Sequence, residues 1–398
     1  MSLPNHAVQE RGVREAGAPH LVFLVTEDWF FVSHFLPMAR AARELGLRVT
    51  VVARVRDHRA AIEATGARVV AFEAERRSLN PVAILRTMLA LRRVLRTERP
   101  DILHCIALRA IVLGGFAAPR DVATVHALTG LGFLGARVDF VGRAARLAVR
   151  GLRRLMLDGP RTRYLFENED DAIALGLDPN DRSRVALAGG AGVDPAQFSA
   201  MPAQPGDELR VAVVARMLWS KGIDIAVEAT SLARKAGAAV SLSLYGAPDP
   251  SNPRAVPEET LRRWSALPGV TWQGPTRDVA GVWRSHDVAC LPSRGGEGLP
   301  RTLLEAGASG RAIVTTDVPG CRRLVRDGVE GFLVPPGDAE ALARAFVSLA
   351  NNPDAVREMG LAARRRIEEG FTERHVMETV KTLYRGLLGK SADWSAGP

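Results

Sequence analysis

The feature that most restricts this chain is a pattern used twice: a short unbroken apolar run, a turn, a longer amphipathic run, and then the same again. From His20 it reads HLVFLVT, LPMARAARELG and LRVTVVARV, with Gly46 near the end of the helical piece. That is strand, helix and strand in succession. The alternation continues with a helix over residues 81–98, a strand over 101–104 and the run DVATVHAL as a further buried strand. Strands apolar on both faces need helices on both faces, which predicts a parallel sheet in a doubly wound α/β domain.

Over residues 198–208 the pattern lapses into FSAMPAQPGDE, whose prolines and glycine read as a linker. It then restarts: LRVAVVARM, IDIAVEATSLARKAG, AVSLSLYG, PEETLRRWSAL, VTWQG, VAGVWRSH and DVACLPS. A chain of 398 residues accommodates two domains of roughly 100–200 each. The expected division is a disordered lead-in over 1–19, an N-terminal Rossmann-like domain over 20–197, the linker, and a second Rossmann-like domain over 209–372. A C-terminal amphipathic helix follows over 373–388. Open α/β sheets take ligands beyond the carboxyl ends of their strands, so the site is expected in the cleft between the two sheets.

Composition narrows the function classes. A hydrophobic fraction of 47% with 24% charged residues fits an ordinary globular chain rather than a fibrous or disordered one. Lys and Arg number 53 against 44 Asp and Glu, and the net +9 implies an anionic partner: nucleic acid, a phosphate-bearing substrate or a membrane surface. Aromatics at 6%, without a stacking platform or recognition motif, argue against nucleic acid. Cys105, Cys290 and Cys321 are odd in number and lack metal-ligand spacing, which reads as buried thiols in a reducing cytoplasmic compartment. The N-terminal MSLPNHAVQERGVREAGAPH lacks the apolar core of a signal peptide. The apolar stretch over 102–118 is interrupted by His104, Cys105 and Arg109, so it falls short of the roughly 18 apolar residues of a spanning helix. Membrane contact is expected to be peripheral.

Two loops carry the chemistry. After LRVAVVA comes Arg216-Met-Leu-Trp-Ser-Lys221-Gly222, two cations flanking a turn into a helix. Such a turn suits a diphosphate, Arg as a bidentate donor and Lys as a point charge. By themselves, two solvated surface cations explain it equally well. The second loop is Glu297-Gly-Leu-Pro-Arg-Thr-Leu-Leu-Glu305. Pro300 suits the first turn of a helix, which would leave the Gly298 and Leu299 amides free to face an anion. Glu305 lies five residues beyond Pro300, roughly 7–8 Å at the helical rise, about the reach from a diphosphate to its ribose. Glu297 would sit on the other side of the phosphates, where a donor sugar lies.

The segments VARMLWSKGID, LPSRGGEGLPRTLLEAGASGRAIVTTDVPG and DGVEGFLVPPGD resemble the C-terminal half of glycosyltransferase family 4. The resemblance runs from about His20 to Tyr384 and implies a GT-B fold and retention of anomeric configuration. It implies that Glu305 binds ribose hydroxyls, Glu297 the donor sugar, and Arg216 with Lys221 the diphosphate, stabilising charge on the leaving group. With no Asp-x-Asp motif evident, no divalent ion or other cofactor is expected. His126 in TVHALTGLGF is expected in a loop after a strand, because family members often place a histidine there beside the donor sugar. Thr129 and Gly130 would let backbone approach a ligand. His34 in FFVSHFLP is expected in a similar loop, as an acceptor-side or a structural residue. Where many relatives have Gly-Gly, this chain has Trp29-Phe30-Phe31, which argues against phosphate contact from that loop.

Residues 143–156, RAARLAVRGLRRLM, would place Arg143, Arg146, Arg150, Arg153 and Arg154 on one side of a helix, with Val141, Ala145, Ala148, Leu152 and Leu155 opposite. A core-facing helix with a solvated charged face explains this, and so does a surface for anionic headgroups or a lipid diphosphate. SHFLPMARAARELG, ALTGLGF and FENEDD resemble the bacterial subgroup that adds sugars to polyprenyl-diphosphate-linked saccharides. The expected reaction is transfer of a hexose or N-acetylhexosamine, from UDP by family habit, on the inner face of the cytoplasmic membrane. A nucleotide-sugar epimerase on the same scaffold is the alternative within enzymes. A basic nucleic-acid-binding protein is the alternative outside them.

Overall fold

The computed structural model describes residues 17–73, 80–132, 140–200, 206–249 and 252–389. Most of the expected lead-in, and residues 201–205 of the expected linker, lie outside them. The first sheet comprises β1 (His20–Glu27), β2 (Arg48–Arg54), β3 (Arg68–Ala71), β4 (Ile102–Ile106), β5 (Ala123–Leu128), β6 (Thr162–Phe166) and β7 (Val185–Leu187). The second comprises β8 (Leu209–Val214), β9 (Val240–Tyr245), β10 (Val270–Gly274), β11 (Val288–Leu291), β12 (Ala312–Thr316) and β13 (Gly331–Val334). The helices that bear on the site are α1 (Asp28–His34), α2 (Leu36–Glu44), α3 (Pro81–Glu98), α4 (Ala107–Ala117), α5 (Phe140–Leu152), α6 (Glu169–Ala174), α7 (Arg301–Ala308), α8 (Pro319–Leu324) and α9 (Glu373–Leu388).

All strand pairs are parallel, in the orders β3-β2-β1-β4-β5-β6-β7 and β10-β9-β8-β11-β12-β13. Both faces are covered, which is why the runs are unbroken. Leu21, Phe23 and Val25 of β1 pack on one side with α2 and α9. Val22 and Leu24 pack on the other with Leu91, Leu95 and Ile111 of α3 and α4. Register pairs Leu21 with both Val49 and Ile102. Each sheet reverses its strand order once, between β1 and β4 and between β8 and β11, so the loops leaving those strands open the crevice for a ligand.

The chain crosses between halves earlier than the linker-like composition indicates. Val193 and Phe198 are already buried in the core of the second sheet. Val193 donates to Phe371 O at 3.1 Å, and the Glu373 N–H donates to Val193 O at 3.0 Å. Two crossing segments, near 189–193 and 370–373, therefore form the hinge. Gly192, at φ +69°, is needed there because a Cβ would come within 2.7 Å of the Glu373 backbone. Beyond it α9 returns to the first half and packs on α2. It buries Val376, Val380, Leu383, Tyr384 and Leu387, each contributing roughly 1.5–3 kcal/mol of gross stabilisation. The Tyr384 hydroxyl meets His104 Nδ1 at 2.7 Å.

Three local expectations change. The segment after β1 is not an open loop: Asp28, fully buried, accepts N–H bonds from Trp29, Arg56 and His58 at 2.7, 2.6 and 3.0 Å and anchors α1. His34 is therefore the last residue of a helix. His126 lies inside β5, because the strand continues through Ala127 and Leu128.

The arginine-rich helix is also rotated from its expected setting. Gly142, Ala145, Val149 and Leu152 form its inward side, while Phe140, Val141, Leu147, Leu155 and Met156 are 53–83% exposed. Arg150 Nε donates to Ala174 O at 2.6 Å, and Arg153 Nε donates to Leu175 O at 3.2 Å. Arg153 also pairs with Asp158 at 2.5 Å. These two arginines turn sideways to satisfy carbonyls at the C-terminus of α6, which such an end requires. Their charge is thus committed inside the fold. Arg143 and Arg154 are exposed, and Arg146 is partly covered.

Candidate active site

The cleft between the sheets has a volume of about 500 Å³ and brings together groups from both halves. A larger groove of about 700 Å³ runs between β7 and α9, but Arg216, Lys221, Glu297 and Gly298 line the cleft, whereas Leu299 and Glu305 are not among its lining residues. From the second half, β8 leads into the 216–222 turn and β11 into the 292–297 loop. Gly222, at φ +69°, lets the two approach, since a Cβ there would overlap Pro292 O at 1.9 Å. Arg294 braces them, donating to both Asp224 oxygens at 2.8 and 2.7 Å and to Trp219 O at 2.5 Å.

Lys221 Nζ lies 2.7 and 2.8 Å from the two oxygens of Glu297, and Ser293 Oγ donates to Oε1 at 2.7 Å. Burial alone would raise the Glu297 carboxyl. The Lys221 charge and hydrogen bond, with Ser293 and the more distant Arg216, hold it below the usual carboxylate range. Arg216 is half exposed and pairs with Asp249 at 3.3 Å.

The start of α7 differs from expectation. Pro300 caps the helix and Arg301 is its first residue. The Leu299 N–H, expected to face a diphosphate, is donated to Glu167 Oε2 at 2.7 Å. Gly298 is wedged where a Cβ would lie 2.0 Å from Glu167 Oε2 and 2.6 Å from Thr129 O. The sequence could not show this, because the occupying carboxylate comes from the other half. Thr302 lines the cleft, and its Oγ1 is buried without a hydrogen-bond partner. Arg301 Nε bonds Glu305 Oε1 at 2.8 Å, and its Nη1 reaches Ser33 O across the cleft. Glu305 is 8% exposed, and burial raises its carboxyl against the opposing effect of Arg301.

From the first half, Trp29, Phe30, His34 and Thr129 line the same cleft. His34 Nδ1 is 2.6 Å from Ser33 Oγ. Burial, then the charge of Arg301, lowers its pKa to about 4, so the ring is neutral at pH 7. Gly130, at φ +95°, sits against the Gly298 N–H, and the Gly132 N–H donates to Gly296 O at 3.2 Å. His126 does not line the cleft. Its ring is fully buried against Tyr164 with both nitrogens unpartnered, and burial lowers its pKa to about 4. Arg146, Arg150, Arg153 and Arg154 are likewise outside the cleft lining. Among the described residues no cluster of three or more His, Cys, Asp or Glu is placed to hold a metal ion. Sequence reasoning missed Glu167, Ser293, Arg301 and Thr302. Of these, Arg301 carried a usable signal, its i,i+4 spacing to Glu305.

Comparison with known proteins gives this arrangement a class. The fold is shared with Anabaena Alr3699/HepE, a structure solved with UDP-glucose: TM-score 0.72 at 17% identity, covering 92% of this chain and 99% of that one. Two parallel sheets facing across a charged cleft are the GT-B fold. Residues 20–159 match the family described as glycosyl transferase 4-like, and residues 208–352 the one described as glycosyl transferases group 1. The chain belongs to glycosyltransferase family 4.

Among its relatives is the N,N'-diacetylbacillosaminyl-diphospho-undecaprenol alpha-1,3-N-acetylgalactosaminyltransferase of Campylobacter jejuni. The two are 26% identical over 336 residues, 78% of this chain and 84% of that one. A putative colanic acid biosynthesis glycosyltransferase of Escherichia coli is 30% identical over 205 residues, 49% of this chain and 50% of the relative.

Proposed function

We propose that the chain transfers a hexose or N-acetylhexosamine from a UDP-sugar, with retention, to a polyprenyl-diphosphate-linked saccharide during surface-polysaccharide or glycan assembly. The observation that carries this reading is the Lys221–Glu297 pair beside the start of α7, with Glu305 one turn further along. The diphosphate lies against Arg216, Lys221 and the first turn of α7, where helix amides and Thr302 Oγ1 join the two cations. Glu305 takes the ribose hydroxyls and Glu297 the donor sugar. As the bond to the sugar breaks, these cations stabilise charge on the departing diphosphate. No divalent ion is required, so activity persists in excess chelator. Loss of activity that manganese restores would overturn that part.

The lipid-linked acceptor is supported by the substrate named for the Campylobacter relative. Among the described residues no helix is long and apolar enough to cross a membrane. Peripheral attachment on the inner face of the cytoplasmic membrane is part of the proposal, supported by an exposed apolar surface. Phe140, Val141, Leu147, Leu155 and Met156 of α5 and the turn after it point outward, and α3 exposes Val82, Leu85 and Leu89. α3 and the 153–157 segment both pack on α4, and residues 140–157 contain no acid. An apolar strip bordered by arginines fits an anionic bilayer. Flotation with anionic liposomes should fall sharply in F140S/L147S/L155S. Undiminished flotation would remove this surface from the reading.

The whole assignment is tested with a donor panel and polyprenyl-diphosphate sugars, reading product linkage by NMR. Inverted product, or donor consumption without acceptor, would sink it.

A further inference from the structure

The two halves meet along a seam that the donor chemistry does not use. On one side are residues 166–171, which follow β6 and lead into α6. On the other are the 295–300 loop and α8. Arg322 pairs with Asp170 at 3.6 Å, and Arg323 pairs with Glu169. Two hydrogen bonds to the loop's backbone then grip it from the first half. Gly132 donates to Gly296 O at 3.2 Å, and Leu299 donates to Glu167 Oε2 at 2.7 Å. Glu297 lies between those two anchor points, one residue from the first and two from the second.

Glu167 itself is buried, with a carboxyl that faces Asp171 of α6, Glu297 of the loop and Arg323 of α8. Two acids and one guanidinium make a poor setting for a carboxylate, so the residue is costly as scaffolding alone. Its carboxyl accepts the Leu299 N–H, on the loop that carries Glu297. We propose that Glu167 is a positioning residue for the donor loop, tying the placement of Glu297 to the closed arrangement of the two halves. This rests on the transferase reading of the cleft.

Burial, together with Asp171 and Glu297, pushes the Glu167 carboxyl up to about 8, against the Leu299 N–H and Arg323. At neutral pH it is mostly a neutral acid whose carbonyl oxygen takes the N–H. Because its folded value exceeds its unfolded one, its stabilising contribution is present at low pH and is lost as pH rises toward about 8. Ionisation then adds a third negative charge beside Glu297 and Asp171, and although the Leu299 N–H bond itself favours the carboxylate, this repulsion destabilises the seam that places the loop.

The test uses E167A, which removes the acceptor, and E167Q, which keeps a neutral one. Deuterium uptake of a peptide spanning 295–300 is read beside kcat, donor KM and the pH profile. In E167A we expect uptake and kcat to change by about tenfold or more in opposite directions, with donor KM shifting less than about threefold. E167Q should match the wild type at neutral pH and lack its fall in kcat above about pH 8. Wild-type uptake and kcat in E167A, or an unchanged alkaline fall in E167Q, overturns the proposal. If E167A fails to fold, the E167Q profile decides alone. Faster uptake in E167A, in a protein that transfers no sugar, supports the seam contact and removes the transferase reading.

Discussion

Replacing Lys221 with methionine keeps much of the stem and removes the charge facing Glu297. The ammonium lies 2.7 and 2.8 Å from the carboxylate oxygens, with side chains 19% and 14% exposed. Exposed pairs contribute roughly 0–1 kcal/mol, whereas breaking a buried one costs about 3–5 kcal/mol. This pair sits at a cleft, between those limits, and Ser293 Oγ remains 2.7 Å from Oε1 to stabilise the stranded carboxylate. The expected loss for K221M is therefore about 2 kcal/mol, several degrees of Tm for a unit this size. Adding Glu297→Gln removes the stranded charge and should recover roughly half of that loss. The pH dependence has a defined sign. The folded Glu297 carboxyl is held low, so the wild type has stability that is present above the usual carboxylate range and lost as pH falls through the folded value. In K221M that acid-side loss should flatten. Thermal unfolding of wild type, both single variants and the double variant, at neutral and acid pH, measures the coupling. If the two substitutions add within about 0.3–0.5 kcal/mol, the pair is not coupled and the reasoning fails.

Gly130→Ala places a Cβ 2.4 Å from the Gly298 nitrogen at φ +95°, so the halves should misalign while each still folds. Circular dichroism should be unchanged while kcat falls about a hundredfold; wild-type kinetics would show that this contact is dispensable. Glu305→Ala should weaken UDP binding about tenfold in calorimetry, and an unchanged Kd would detach Glu305 from the ribose. His34, lowered to about 4, should remain neutral between pH 5.5 and 8 by NMR. A rate step near pH 6.5 that disappears in H34Q would contradict that.

Both sheets were legible because parallel strands buried on two faces leave unbroken apolar runs, and β4 and β5 are buried at every position. Lys221 and Glu297 were legible as cleft residues because each follows a strand end at a fixed distance, whereas Glu305, correctly placed along α7, is buried against Arg301 outside the cleft lining. The setting of α5 was not legible. An arginine face and an apolar face are equally readable from sequence, but which one meets solvent depends on carbonyls at the end of α6, 23 and 24 residues away, that recruit Arg150. The Glu167 contact spans 132 residues and joins a side chain to a backbone amide, so no local pattern encodes it. The hinge escaped for a different reason: residues 189–193 are apolar and Gly-rich, whereas the nearby polar stretch has the composition of a linker.

Three cations of the cleft already have carboxylate partners: Lys221 with Glu297, Arg301 with Glu305, Arg216 with Asp249. This pairing constrains how a donor binds under the proposed function. A bare cluster of cations would attract any phosphate, and a bare pair of buried glutamates would repel it. With this pairing, much of the cations' charge is already committed to carboxylates until a ligand offers both a diphosphate and hydroxyls. The diphosphate then draws Lys221 and Arg216 to itself. That releases Glu297 toward the sugar, and a shift of Arg301 releases Glu305 toward the ribose. A nucleotide sugar satisfies both halves of the exchange at once, whereas free phosphate would leave two carboxylates short of partners in a low-dielectric cleft. Discrimination in favour of the whole donor thus arises from the partners the cations must give up, as well as from the contacts they gain.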